Sequence, residues 1–319
     1  MKHIFVVNPI AGKGNFVEGL CRGIKKTFDE RDDTFEIHMT TAPKEAINFV
    51  RTTCEQQEGE LRFYACGGDG TLSEVASGAM GFPQATVASV PCGSGNDFVR
   101  NFGAPEDFYR VDKLADGEAY PIDIIKFGGE TYGINMCNMG FDANVALNMN
   151  KFKRLPFISG RLAYSLGVIY SLFHKMSNQL RINVDGEVIE GEFLLAVLGS
   201  GCYCGGGFKC TPLAEVDDGM LDLCIVKKVP RLKLLQLVKS YKKGEHLYSE
   251  KFANAIIYRR CKKIEVTSPT PFAVSIDGEN QRLTQLTAEV LRQVLYFAVP
   301  NNSWSMTKSN EGIKSKMKI

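Results

Sequence analysis

The run Cys66-Gly67-Gly68-Asp69-Gly70-Thr71-Leu72-Ser73-Glu74 concentrates the chemistry of this chain. Three glycines beside an aspartate let backbone N–H groups approach a polyanion that any Cβ would hold off. An apolar strand over 62–65 precedes the run. A helix starting at Thr71 follows it and adds its positive dipole end at the same spot. A carboxylate inside such an anion nest suits a Mg²⁺ ion or a ribose hydroxyl. The segment therefore reads as a nucleotide-phosphate site, against the plainer alternative of a glycine turn between strand and helix.

Two further loops share this character. Asn8-Pro9-Ile10-Ala11-Gly12-Lys13-Gly14 carries a lysine on a glycine turn. It is not a Walker A loop, because Val7 stands where that pattern needs glycine and Gly14 where it needs Ser or Thr. Lys13 is then a partner for phosphate or a carboxylate network, or else a solvated loop lysine. Pro91-Cys92-Gly93-Ser94-Gly95-Asn96-Asp97-Phe98 is a second glycine turn, without the third glycine of a dinucleotide fingerprint. Ser94 could donate to a phosphate there, and Asp97 could equally cap a helix.

The elements that must position these loops alternate. Strand patterns cover 4–7, 35–39, 62–65 and 86–90, and helix patterns cover 18–28, 43–54 and the stretch after Thr71. Such alternation implies an α/β domain with a mostly parallel sheet covered on both faces. Ligands of such sheets sit beyond the carboxyl ends of the strands. Each polar segment (8–14, Thr40-Thr41, 67–71 and 93–97) falls at one of those ends.

From about Asp123 the rhythm changes to period two. Residues 180–184 alternate before Asp185-Gly186, Leu221, Leu223 and Ile225 alternate, and so do Phe272, Val274 and Ile276 before Asp277-Gly278. With buried strands over 193–198 and 290–299, this half reads as a largely antiparallel β domain with two helical insertions. The expected domains are 1–122, completed by 300–319, and 123–299. A polar tail with Lys308, Lys314, Lys316 and Lys318 ends the chain.

Composition sets the outer bounds. The 319 residues suffice for two domains, and 44% hydrophobic with 23% charged residues is the balance of a globular protein. A formal net charge of +2 leaves no global footprint for nucleic acid, and none is expected as a partner. The apolar run 4–7 is too short for a signal sequence, and no stretch has the length to span a bilayer. The nearest, 162–173, has its large apolar residues at helical spacing and reads as core. Reduced thiols and a cytoplasmic location are expected for the ten cysteines. Cys202, Cys204 and Cys210 cluster, but four histidines and no paired CxxC favour buried thiols over zinc.

The paired segments Gly67-Gly-Asp-Gly-Thr-Leu72 and Gly93-Ser-Gly-Asn-Asp-Phe98, behind Asn8-Pro-x-x-Gly-Lys13, resemble the diacylglycerol kinase catalytic family. The likeness is to its bacterial soluble lipid-kinase branch, related to sphingosine kinases and NAD kinases. It continues through Asn138-Met-Gly-Phe-Asp-Ala143, Asp217-Asp-Gly-Met-Leu-Asp222, Gly244-Glu-His246 and Asp277-Gly-Glu279. The first glycine motif alone leaves several kinase families open; the later segments make the likeness specific. Ser73 stands where many members have asparagine, and Cys92 and Ser94 replace a small apolar residue and threonine.

The resemblance implies an ATP- and Mg²⁺-dependent lipid kinase that acts on diacylglycerol, with a β-sandwich-like second domain and substrates meeting between the domains. Carried over, Gly67, Gly68, Asp69, Gly70, Thr71, Leu72 and Ser73 would wrap the ATP phosphates, with Asn8, Thr41, Ser94 and Asn96 contributing. Asp69 would work with catalytic Mg²⁺, and Lys13, Asp97 and Asp123 would form an ordering charged network. A structural Mg²⁺ would sit on the Asp218 side chain and the carbonyls of Glu215 and Met220. Glu279 would be the general base, with Asp69 and Asp277 beside it among the catalytic groups. An NAD kinase-like enzyme and a non-catalytic nucleotide-binding regulator are the alternatives.

A lipid kinase must also reach a bilayer, so peripheral contact with the inner face of the membrane is expected. The basic amphipathic pattern 231–243 offers a surface for it, against the plainer role of a helix packed on its own core. Lys151, Lys153 and Arg154 form a second basic edge. An exposed sheet edge could pair two copies into a homodimer.

Overall fold

The computed structural model describes residues 1–12, 15–29, 31–153 and 176–301. Lys13, Gly14, the 162–173 pattern, the side chains of Lys151, Lys153 and Arg154, and the lysine tail lie outside the description. The chain divides into two compact units, Met1–Ile122 with the chain from Gln293 onward, and Asp123–Arg292.

The first unit runs β1 (Lys2–Val7), α1 (Phe16–Phe28), β2 (Thr34–Met39), α2 (Glu45–Gln56), β3 (Leu61–Gly67), α3 (Asp69–Ala79) and β4 (Ala85–Pro91). β1 pairs with β2 and β3, and β3 with β4, all in parallel register. Ile4, Phe5, Val6 and Val7 are all buried, as are residues 61–67. Such unbroken burial requires cover on both faces, which is why β1 and β3 read as apolar runs rather than alternations. Phe5 stacks on Tyr64 with ring centroids 4.2 Å apart, and Phe28 of α1 meets Phe5 edge-on at 5.7 Å. α3 approaches α2 so closely that a Cβ on Gly78 would stand 2.6 Å from the carbonyl oxygen of Ile47. Two short 3₁₀ turns and α4 (Val111–Ala115) lead to β5 (Glu118–Phe127).

The second unit continues with β6 (Thr131–Gly133), β7 (Met136–Gly140), α5 (Phe141–Lys153), β8 (Asn178–Val184), β9 (Glu187–Gly199) and the short pair β10 (Tyr203–Cys204) and β11 (Phe208–Lys209). Then come β12 (Leu221–Lys227), α6 (Arg231–Lys243), β13 (Ile256–Cys261), β14 (Lys263–Ile276) and β15 (Glu279–Val299). The strand order is β13-β12-β9-β7-β14-β15, with β8 pairing both β9 and β14, and the registered pairs are antiparallel. The end of β15 belongs to the first unit, where Tyr296 and Phe297 pair in parallel with Thr86 and Val87.

β8 keeps the expected alternation of buried and outward residues. β12 does not: its first six residues are all buried. Leu221, Leu223 and Ile225 enter a core with Leu180, Ile182 and Val274, whereas Cys224 and Val226 enter another with Leu234, Leu237 and Tyr241 of α6. Cover on the second face removes the need for a polar side, so the alternation seen in its sequence marks two cores rather than core and water.

Candidate active site

In the first unit the glycine turns of β3–α3 and of the segment after β4 meet backbone to backbone. The Cys92 N–H donates to the Gly67 carbonyl at 2.8 Å, and a Cβ on Gly93 would stand 2.5 Å from the Cα of Gly68. A Cβ on Gly67 would run into the Thr71 side chain. Glycine at these positions is thus required by approach. The helix opens at Asp69, two residues earlier than its sequence pattern indicates, with Gly68 at the N-cap. Its first turn is therefore Asp69, Gly70 and Thr71, whose N–H groups have no carbonyl of the helix to bond.

Asp69 joins the two turns. Its Oδ1 accepts the N–H of Asp97 at 2.7 Å and that of Phe98 at 3.4 Å. Oδ2 of Asp69 and Oδ2 of Asp97 converge above Gly95, where a Cβ would lie 2.6 Å from the first and 3.0 Å from the second. Asp97 itself is buried, with Arg100 Nε 3.6 Å from its Oδ1. Arg100 also donates to the Gly95 carbonyl at 3.2 Å. Sequence reasoning passed over Arg100; its signal is a cation one helical turn after Asp97. Asn8, at the end of β1, donates from Nδ2 to Thr71 Oγ1 at 3.5 Å.

Two of the expected phosphate or nucleotide residues also serve the fold. Leu72 is a core side chain, 2% exposed, and its N–H is used on the Gly68 carbonyl at 3.1 Å. Asn96 adopts φ +52 and spends its amide on its own turn, accepting from Gly93 N–H at 2.9 Å and donating to the Gly93 carbonyl at 3.1 Å. These bonds shape the loop. Asp97 was weighed as a cap of the following 3₁₀ turn, but its side chain makes no capping bond. Ser94 is exposed at the turn's tip, and Ser73 is half-buried in α3. Thr41 is exposed after β2 with its N–H on Glu45 Oε2 at 3.1 Å.

In the second unit Asp277 and Gly278, at φ +44 and +95, form a two-residue turn between β14 and β15. Glu279 opens β15, and its side chain is exposed. Asp277, expected among the catalytic groups, is nearly buried. Its carboxylate accepts the N–H groups of Ile134, Asn135 and Met136 at 2.7, 3.2 and 2.8 Å. Three backbone donors make Asp277 the clamp that fixes the turn carrying Glu279.

Asp123 is fully buried and serves the loop 215–222. Its Oδ2 accepts the Gly219 N–H at 2.5 Å and its own N–H donates to Val216 O at 2.6 Å. Asp123 therefore orders the loop expected to hold a structural ion. That loop carries Glu215, Asp217, Asp218 and Asp222. Burial raises the proton affinity of Asp217 and Asp218 and pushes Asp222 up to about 6, with Tyr258 and Arg260 pulling Asp222 back. Asp218 accepts the Met220 N–H at 2.9 Å and the Arg260 guanidinium, whose Nε also lies 3.6 Å from Asp222. Arg260 and Asp222 were absent from the expected set; one comes from β13 and becomes visible only through the β12–β13 pairing.

Comparison with known proteins agrees with this architecture. Residues 2–127 match the diacylglycerol kinase catalytic domain, and residues 135–299 match the YegS C-terminal NAD kinase beta sandwich-like domain. A diacylglycerol kinase of Bacillus subtilis is 29% identical, over 86% of this chain and 88% of its own. One from a bovine strain of Staphylococcus aureus is 33% identical, over 86% and 84%. The crystal structure of a Bacillus anthracis diacylglycerol kinase superposes with a TM-score of 0.70 at 23% identity, covering 95% of this chain and 98% of that one. At that identity it speaks for the fold, an N-terminal α/β domain followed by a largely antiparallel β-rich domain. With both halves matched in order, the chain belongs to the bacterial-type diacylglycerol kinase family, phosphotransferases with an alcohol as acceptor.

Proposed function

We propose that this protein transfers the γ-phosphate of ATP, in the presence of Mg²⁺, to the free hydroxyl of diacylglycerol, yielding phosphatidic acid. The observation that carries this reading is the junction at Asp69, where two glycine turns from separate strand ends share one carboxylate. The first turn of α3 offers the N–H groups and dipole end that phosphate oxygens favour. Oδ2 of Asp69 and of Asp97 form a convergent hard-oxygen pair over a glycine that leaves the space open, a donor set that fits Mg²⁺. When bound there, Mg²⁺ supplies neutralisation of the charge on the phosphates. Gly93 and Gly68 keep the two turns in register while Arg100 balances Asp97.

Glu279 is the group assigned to take the proton of the attacking hydroxyl. Its carboxylate is exposed, and Asp277 holds its turn through three backbone donors. The loop 215–222 also fits a hard divalent ion, held by Asp218 with the Glu215 and Met220 carbonyls. Arg260 is the competitor for Asp218 there. The acceptor is drawn from a bilayer, so the protein works at a membrane surface; no helix among the described residues is long and apolar enough to cross one.

The test is transfer of radiolabelled phosphate from ATP with dioctanoylglycerol, sphingosine and NAD offered in parallel. Labelled phosphatidic acid alone is the expected product. Labelled NADP instead would place the protein with the NAD kinases. ATP binding without transfer to any acceptor would make it a nucleotide-binding regulator.

A further inference from the structure

We propose that the outward face of α6 is a docking surface for an anionic lipid bilayer; its purpose rests on the lipid-kinase reading, its geometry on the helix alone. The thirteen residues of α6 contain Arg231, Lys233, Lys239, Lys242 and Lys243 and no carboxylate. Leu234, Leu237 and Tyr241 are buried beneath it and complete its share of the core. At about 100° per residue, Leu232, Leu235 and Lys239 project together on the opposite side. Leu232 is 78% and Leu235 55% exposed, and Val238 on the flank is 41% exposed.

A single leucine in water needs no explanation. Two on successive turns, among cations and on the side away from a filled core, form a pattern that core packing does not require. A helix of modest hydrophobicity with a basic polar face and a few large apolar residues is suited to lie in a membrane interface. Its leucines then enter the acyl boundary while the lysines meet phosphate headgroups, each drawn by the negative surface potential. The lysine stems can extend along the apolar surface and keep their charge at headgroup level. Lys243 leans toward Glu245 at 3.8 Å and Lys242 lies over the Phe208 ring at 5.6 Å, so both sit at the helix surface near its end. A second copy of the same face is a poorer occupant, because it would bring two sets of like charges together.

Sedimentation with phosphatidylglycerol vesicles, and with phosphatidylcholine vesicles alone, tests the proposal. The intact protein binds the first, releases as salt rises, and binds the second weakly. Leu232→Glu/Leu235→Glu and, separately, Lys239→Glu/Lys243→Glu each weaken binding at least roughly tenfold. Both keep the wild-type thermal midpoint and wild-type transfer to dioctanoylglycerol in detergent micelles. Either folded variant binding phosphatidylglycerol like wild type would overturn the proposal, as would a wild type that does not bind. So would a dimer in ultracentrifugation that the leucine variant dissolves without loss of vesicle binding. Absence of transfer to micellar dioctanoylglycerol by the wild type would instead strike the kinase reading and leave the vesicle result standing.

Discussion

The main-chain N–H of Asp97 donates to Asp69 Oδ1 across 2.7 Å, although 28 positions separate the two residues. One oxygen of Asp69 thus sets the distance between the glycine turns, while the other points with Asp97 at the space over Gly95. Charge and shape can be separated here. Asp69→Asn keeps an acceptor for the Asp97 N–H but removes the negative charge, so transfer should fall roughly 10²-fold or more with little change in thermal midpoint. Gly95→Ala keeps the charge and places a methyl 2.6 Å from Oδ2, with a comparable loss expected. Rates with saturating ATP and Mg²⁺, measured beside melting curves, check both. Near-normal transfer by Asp69→Asn would remove the carboxylate from the chemistry.

Asp277 and Glu279 stand two residues apart and should respond oppositely. Asp277→Ala strips the acceptor from three backbone N–H groups in a nearly buried site, at a cost of about 3 kcal/mol or more. Glu279→Gln alters an exposed side chain at the head of β15 and should leave unfolding by urea unchanged while transfer is lost. Equal destabilisation by both changes would undo the division into clamp and base.

Much of this was legible before the fold, for reasons that differ by residue. The glycines of 67–70 and 93–95 announce a close approach because only glycine tolerates it, and the approach proved to be of one turn to the other. β1 and β3 were found because burial on both faces leaves unbroken apolar runs. For Leu72 and Asn96 a motif gives the order of residues but not which way each points: one helical turn puts the Leu72 side chain into the core, and a left-handed φ closes the Asn96 amide on its own loop. Asp123 serves a loop that its own neighbourhood does not announce, since its partner Gly219 is 96 positions away. Arg260 was missed because nothing local marks it; the pairing of Asp222 with Arg260 across β12 and β13 supplies the relation.

That relation predicts how the loop 215–222 answers to metal. Arg260 neutralises Asp218 and the buried Asp222, so Arg260→Gln should destabilise by about 1–2 kcal/mol without divalent ions. With the competing cation gone, Mg²⁺ should bind more tightly at Asp218 and restore the thermal midpoint. The midpoint of Arg260→Gln should therefore rise more steeply with Mg²⁺ than that of wild type. Parallel Mg²⁺ dependences in the two proteins would mean that Arg260 and the ion do not share a site.

Two buried histidines each make a definite contribution to the pH dependence of stability. His3 hydrogen-bonds Tyr64 at 2.7 Å and is 1% exposed; burial lowers its pKa from 6.5 to about 4, against a smaller upward pull from Asp33. Burial also lowers His246 to about 4, with the backbone at Cys210 and Ser240 pulling upward. Both stay neutral in the folded chain while the unfolded chain takes up protons below 6.5. The contribution of each histidine is therefore undiminished above 6.5 and falls as pH drops toward 4, with a slope of up to about 1.4 kcal/mol per pH unit. Asp142, pushed up to about 7 by burial, and Asp222, raised to about 6, oppose this by gaining protons in the folded state as pH falls through those values. Replacing one histidine isolates its share, because the carboxyl contributions are common to both proteins. His3→Gln should lose less stability than wild type between pH 7 and 5 in urea unfolding. An identical pH profile would show that His3 is already charged, or open to water, in the native state.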